Sequence, residues 1–162
     1  MDIIAIGHEN AEHVAPLCAE FRVELRALKG IASTPNERAG RDEILEYVDA
    51  GFPCFAAVLD GEYIGYIVCR VDEPTVWVES LFVDRRFRRL GVASALFERA
   101  EQIAERYGES TVFEYVHPNN DKMIAFARKH GYTVLNLIEI RKAYPGERTA
   151  RRIRVGDHEF DY

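Results

Sequence analysis

The chain has 162 residues, of which 48% are hydrophobic and 30% charged, with a net charge of −6. Those figures fit one ordinary domain with a full core and exclude a disordered or fibrous chain. The acidic balance argues against nucleic-acid binding and favours small-molecule or peptide amines as partners.

Three cysteines, Cys18, Cys54 and Cys69, are odd in number and widely spaced, with no C-x-x-C. They suit a reduced, cytoplasmic protein that uses cysteine as a small core residue. No apolar run reaches the length of a membrane span and no signal-peptide pattern is present, so neither a membrane nor export is expected.

In chain order, Ile3–Ile6 reads as a first strand. Asn10 is placed to cap a helix whose apolar face is Val14, Leu17, Cys18, Phe21, Leu25 and Leu28, with Pro16 as a kink or a later start and Gly30 as its end. Thr34-Pro35-Asn36-Glu37 is a capping box with proline at the first helical position, predicting a second helix from Pro35 to Ala50. Phe52–Leu59 and Tyr63–Val71 flank Asp60-Gly61, a two-residue hairpin signal. Asp72-Glu73-Pro74 makes the next turn, and Thr75–Val83 completes an antiparallel meander. A helix then buries Val92, Leu96, Ala100, Ile103 and Tyr107 and stops at Gly108. Thr111–Val116 is the following strand. His117-Pro118-Asn119-Asn120 turns into a helix from Asp121 to His130, and Tyr132–Arg141 reads as a further strand. The tail carries a candidate hairpin at Gly156-Asp157, between Arg151–Val155 and His158–Tyr162.

These elements predict an α/β mixed sheet: antiparallel strands first, then a splayed parallel β-α-β pair, with helices on both faces. In such a sheet the ligand crevice lies beyond the carboxyl ends of the parallel strands. There the strand Val76–Val83 runs into Arg85, Arg86, Arg88 and Arg89, then Gly91, then a helix. Unpaired amides, a positive helix end and cationic side chains gather at that turn and suit a phosphate-bearing ligand. Gly91 lets a diphosphate approach the backbone from Arg89 through Leu90, Val92 and Ala93 to Ser94. No G-x-x-x-x-G-K-S/T or G-x-G-x-x-G is present, which removes support for a triphosphatase or dinucleotide site.

Arg88-Arg89-Leu90-Gly91-Val92-Ala93 resembles the Arg/Gln-x-x-Gly-x-Gly/Ala pyrophosphate loop of the GNAT superfamily of acyl-CoA-dependent N-acyltransferases. Asn120, followed by a helix ending in Lys129-His130-Gly131-Tyr132, is similar to that family's second motif. The resemblance covers Ile3 to Arg141. It implies an N-acetyltransferase domain over 1–144 with a C-terminal extension over 145–162, acetyl-CoA as co-substrate, and a pantetheine arm lying along Leu81, Phe82 and Val83. It also implies that Asn120 contacts the arm, beside its helix-capping role, and that Phe126 lines the site. Glu79, which by alternation shares a face with Trp77 and Leu81, takes the position of the base that deprotonates the amine. The family's usual tyrosine acid is replaced by Ala127, so Tyr115 becomes a substitute donor beside Tyr132 or water.

No cysteine lies near the motif, so direct transfer in a ternary complex is expected, with the Gly30–Thr34 loop and the tail selecting the acceptor. A catalytically weak acyl-CoA-binding sensor or assembly module is the alternative that Ala127 keeps open. His117 is expected to be structural, and the other histidines show no ligand spacing, so no metal is expected. Arg148, Arg151, Arg152 and Arg154 beside the tail hairpin suggest strand addition to a partner sheet and a homodimer.

Overall fold

The computed structural model describes all 162 residues and divides into two compact units, Met1–Phe126 and Ala127–Tyr162. No helix is long and apolar enough to cross a membrane.

The first unit is built on a five-stranded sheet in the order β1-β2-β3-β4-β5. Its strands are β1 (Asp2–Ala5), β2 (Cys54–Leu59), β3 (Glu62–Asp72), β4 (Thr75–Val83) and β5 (Phe113–Glu114). The first three pairings are antiparallel and the β4–β5 pairing is parallel, as the pattern predicts. Asp60 and Gly61 take φ of 51° and 83°, the left-handed pair that a tight two-residue hairpin needs.

Helices α1 (Ala11–Leu28) and α2 (Glu37–Asp49) cover one face. Val14, Leu17, Cys18 and Ile44 share a core there with Cys54, Ala56, Tyr66, Val68 and Phe82. Helix α3 (Val92–Arg106) covers the other: a Cβ built on Gly65 would lie 3.2 Å from Leu96 Cδ1. Leu96, Phe97, Ala100 and Ile103 form its buried stripe. Helix α4 (Asp121–Lys129) follows, its start capped by Asn120 Oδ1, which accepts from the Met123 amide at 3.2 Å.

Several local expectations need correction. Asn10 makes no side-chain cap for α1; it accepts from the Gly7 amide and donates to the Ala5 carbonyl, tying β1 to the helix. Helix α1 runs unbroken through Pro16. The α2 cap is Asn36 rather than Thr34, its Oδ1 taking the Ala39 amide at 3.0 Å and leaving Pro35 outside the helix. Tyr107 sits at the C-cap of α3 and is exposed.

Of Thr111–Val116, only Phe113 and Glu114 pair with β4. The cause is a bulge in β4: Val68 faces Ser80 but Cys69 faces Val78, leaving Glu79 as the extra residue. A bulge bends its strand, and the next parallel rung would have put Glu79 opposite Tyr115. Pairing stops there.

In the second unit, Tyr132–Arg141 is not a strand. A strand needs a ladder partner for its backbone, and no pairing involves this segment. The tail hairpin does form: β6 (Arg152–Val155) pairs with β7 (His158–Asp161) around Gly156 at φ 59°. Arg152 lies within 3.6 Å of Glu159 and 3.4 Å of Asp161 on the facing strand.

Candidate active site

The arginine-rich turn is more neutral than its sequence suggests. Glu24 of α1 accepts from Arg85 Nε at 2.8 Å and from Arg88 Nη2 at 3.0 Å. Partial burial alone would push the Glu24 carboxyl up, yet these two guanidinium groups hold it below its usual range. Arg86 donates to Asp84 and, at 2.5 Å, to Glu62. The Arg86 hydrogen bonds likewise hold Asp84 low. Arg88 also donates from Nε to the Val83 carbonyl at 2.8 Å and stacks over Phe82, fixing the end of β4. Three of the four arginines therefore build the turn; Arg89, exposed and without an ion-pair partner, is the cation left for a ligand.

The backbone gives the stronger signal. Arg89 and Gly91 both have positive φ, 68° and 85°. A non-glycine residue there is strained by roughly 1–2 kcal/mol. Gly91 is the N-cap of α3, and a Cβ built on it meets nothing within 4 Å. The glycine is thus required by its dihedral, and the space before it is open. The first-turn amides, including those of Val92 and Ala93, have no acceptor within the helix. No acid sits in that turn, whereas α1, α2 and α4 carry Glu12, Glu37 and Asp121 in theirs. Leu90, between the two positive-φ residues, is exposed.

Behind the turn the sheet opens. The parallel rungs end at Val78 and Glu114, leaving β4 from Glu79 to Val83 unpaired on its β5 side. Phe82 and Val83 are buried and Leu81 is half-buried. Together, the free strand edge, the amides and Arg89 fit a diphosphate followed by an extended arm.

The bulge also resets which residues share a face. Past it, Leu81 pairs with Ile67 and points to the α3 side, while Glu79 stays with Arg70 and Trp77. The alternation that placed Leu81 beside Glu79 is therefore corrected. Glu79 Oε1 accepts from Arg70 Nε at 2.7 Å, and its side chain is 26% exposed. Arg70 lies over the Trp77 ring, 5.5 Å from its centroid. Tyr115 stacks on Trp77 at 4.9 Å and 10° and is 68% exposed, so it is neither core nor hidden. Glu79, Arg70, Trp77 and Tyr115 thus form one continuous surface on the sheet.

Phe126 of α4 meets Phe97 of α3 edge-on at 5.4 Å. His117 Nδ1 accepts from the Asn119 amide at 3.2 Å, and burial, with Lys29 nearby, lowers its pKa. Asn119 Nδ2 donates to the Leu28 carbonyl at 3.0 Å, closing the end of α1.

Sequence reading missed Glu114. Burial raises its carboxyl to about 7. It shares its rung with Val78, on the face opposite Trp77 and Phe113. The signal was present: Val112, Glu114 and Val116 alternate, which puts an acid among apolar positions. A separate groove of about 610 Å³ lies between α1 and α2, lined in part by Arg22, Arg26, Ser33, Asn36 and Glu43. Ala32, Ser33 and Thr34, from the loop expected to select the acceptor, line it as well.

A family model described as the acetyltransferase (GNAT) family matches residues 20–132. The chain is 26% identical over 100 residues to the probable N-acetyltransferase san of Drosophila melanogaster, covering 59% of this chain and 54% of that protein. It therefore spans about half the length of that curated relative. Among solved structures, a ribosomal-protein-alanine N-acetyltransferase from Brucella melitensis biovar Abortus 2308 superposes with a TM-score of 0.69 at 17% identity, over 89% of this chain and 100% of the other. AAC(6')-Iy, bound to the bisubstrate analogue CoA-S-monomethyl-acetylneamine, gives 0.66 at 23%, over 88% and 98%. Identities this low speak for the fold alone. The family match spans well over half of the sequence and includes both the turn and the Asn120 motif: the chain belongs to the acetyltransferase (GNAT) family.

Proposed function

We propose that this chain is an N-acetyltransferase that moves an acetyl group from acetyl-CoA directly to an amine, with residues 1–144 as the transferase domain. The observation that carries the reading is the opened edge of β4 ending at an acid-free, positive-φ helix start. When bound, acetyl-CoA supplies the activated thioester.

The protein's part follows from its residues. Amides of the α3 turn and the Arg89 guanidinium hold the diphosphate, with Arg88 keeping the turn in place. The backbone of Leu81, Phe82 and Val83 pairs with the arm as an added strand would, and its amides polarise the thioester carbonyl. Asn120 and Phe126 flank the arm. Glu79 Oε2, which carries no protein hydrogen bond, removes the proton from the incoming ammonium. Tyr115 donates a proton to the departing sulfur in place of the tyrosine replaced by Ala127. A thiol of pKa about 8.5 is a tolerable leaving group, so the donor adds rate without being indispensable. The polar α1–α2 groove suits a hydrogen-bonding amine acceptor, of small-molecule or peptide type.

Free thiol release from acetyl-CoA across a panel of amines and peptides tests the reading. Amine-dependent release supports it. Tight acetyl-CoA binding with no release for any amine would make the chain a binding module instead, the reading that Ala127 keeps open.

A further inference from the structure

Three aromatic rings and an arginine share one face of the sheet in the first unit. Trp77 faces Arg70 on β3 and Phe113 on β5. Phe113 and Tyr115 alternate with Val112 and Glu114, so both fall on the Trp77 side. The Arg70 guanidinium lies 5.5 Å from the centre of the Trp77 ring. Phe113 packs against Trp77 at 5.3 Å, and Tyr115 stacks on it at 4.9 Å with 10° between the planes. Trp77 and Phe113 are half-buried, whereas Tyr115 is exposed. One face of the Tyr115 ring is therefore covered by Trp77, and the other is open.

A parallel stack with an open end is suited to one more flat ring. Such a ring laid on Tyr115 buries apolar area of both partners, and rings in contact gain further from their quadrupoles. A lone ammonium in that place buries little and gains only the weak attraction of an exposed cation–π contact. The carboxylate beside the stack supplies the other half of the recognition. The β4 bulge keeps Glu79 on this side, with Oε1 committed to Arg70 and Oε2 left over. Arg70 ties the acid to the stack, since it donates to Glu79 while lying over Trp77. Neighbouring strands run about 4.8 Å apart. That is close to the roughly 5 Å that a two-carbon tether puts between an amine and the centre of a ring. None of these residues lines the α1–α2 groove, so the stack is a second element of acceptor recognition.

We propose that the open face of Tyr115 is the subsite for an aromatic ring of the acceptor, an amine whose nitrogen stands two carbons from that ring and reaches Glu79 Oε2. The inference rests on the acetyl-transfer reading for the fate of the amine and takes its site from the stack alone. Two sources carry this chemistry, a free arylalkyl amine and a peptide that begins with phenylalanine, tyrosine or tryptophan, because both hold the amine on the same tether. Glu79 takes one proton from the ammonium, and the nitrogen bonds to the acetyl carbon as the carbon–sulfur bond breaks. The nitrogen's second proton then balances the one that the sulfur gains from Tyr115. The two uses of Tyr115 do not compete, since one needs the ring face and the other the hydroxyl.

The test is thiol release from acetyl-CoA by the full chain with phenethylamine, a phenylalanine-initiated tripeptide, n-butylamine and spermidine. The better of the two ring-bearing amines is expected to exceed n-butylamine and spermidine in kcat/KM by about 100-fold, mostly through KM. Which of the two is better identifies the source. Tyr115→Phe keeps that ratio although its rate falls, while Tyr115→Leu lowers the ratio about tenfold. A value for n-butylamine or spermidine equal to the ring-bearing ones, or above them, overturns the subsite and leaves acetyl transfer standing. Isothermal titration of phenethylamine and the tripeptide into the chain without acetyl-CoA separates the two claims. Saturable binding weakened by Tyr115→Leu, with no release from any amine, upholds the subsite and removes acetyl transfer. Neither binding nor release overturns both.

Discussion

Arg70 donates from Nε to Oε1 of Glu79 at 2.7 Å, so the candidate base has one oxygen committed to a cation and one left over. The pair exists because the β4 bulge keeps Glu79 on the Arg70 side of the sheet. If Glu79 Oε2 takes the proton of the acceptor, Glu79→Gln lowers kcat by about 100-fold near neutral pH with KM for acetyl-CoA unchanged. The deficit shrinks as pH rises toward the amine pKa of about 10, where the acceptor loses its proton unaided. A pH-rate profile of both proteins checks this; a defect of constant size at every pH removes Glu79 from the role.

Glu114 gives a stability prediction with a definite sign. Its folded value of about 7 lies above the ordinary 4.5, because burial disfavours the charge. The folded chain therefore holds this proton more tightly than the unfolded chain. That contribution is complete below about 4.5 and disappears as pH rises through 7, a change on the order of 2 kcal/mol after discounting for partial exposure. Glu114→Gln flattens this part of the stability curve and leaves the variant more stable than wild type at pH 8. Thermal melts from pH 4.5 to 8 read both.

The bulge also explains what was and was not legible beforehand. Thr75–Val83, the Asp60-Gly61 hairpin and the turn at Gly91 are written in local residue types, and each formed where expected. A bulge is a two-against-one count between strands, so no single-strand alternation reveals it. Simple alternation therefore assigns Leu81 to the face opposite the one it takes. Glu24 and Glu62 neutralise arginines 61 and 24 residues away along the chain. A turn full of arginines reads as an anion trap until those partners are placed. Tyr132–Arg141 has the composition of a strand, but composition cannot supply the neighbour whose backbone it would pair with.

The cysteines predict inert thiols. Burial pushes Cys18 up to about 11 and Cys54 and Cys69 to about 12, and all three are almost fully enclosed. The thiolate is the reactive form, so at pH 8 almost none is present. Ellman's reagent labels none of the three within minutes in the folded chain and all three in denaturant. Rapid labelling of any one in the folded chain would reopen an acyl-cysteine route.

Arg89 sets stability against binding. At φ 68° its backbone is strained, so Arg89→Gly raises folding stability by about 1 kcal/mol. The same change removes the turn's one unpaired cation and weakens acetyl-CoA binding about tenfold. Melting temperature and affinity then move in opposite senses. Strain kept at Arg89 without any loss of affinity on substitution would mean the arginine serves the fold and not the ligand.

In the proposed function the amides of the α3 turn grip the diphosphate of acetyl-CoA in the open space before Gly91. Isothermal titration of acetyl-CoA into wild type and Gly91→Glu tests it most directly. Saturable binding by wild type and none measurable by the variant is expected, because the new carboxylate fills that space and repels the phosphates. Equal affinity for both proteins would contradict it.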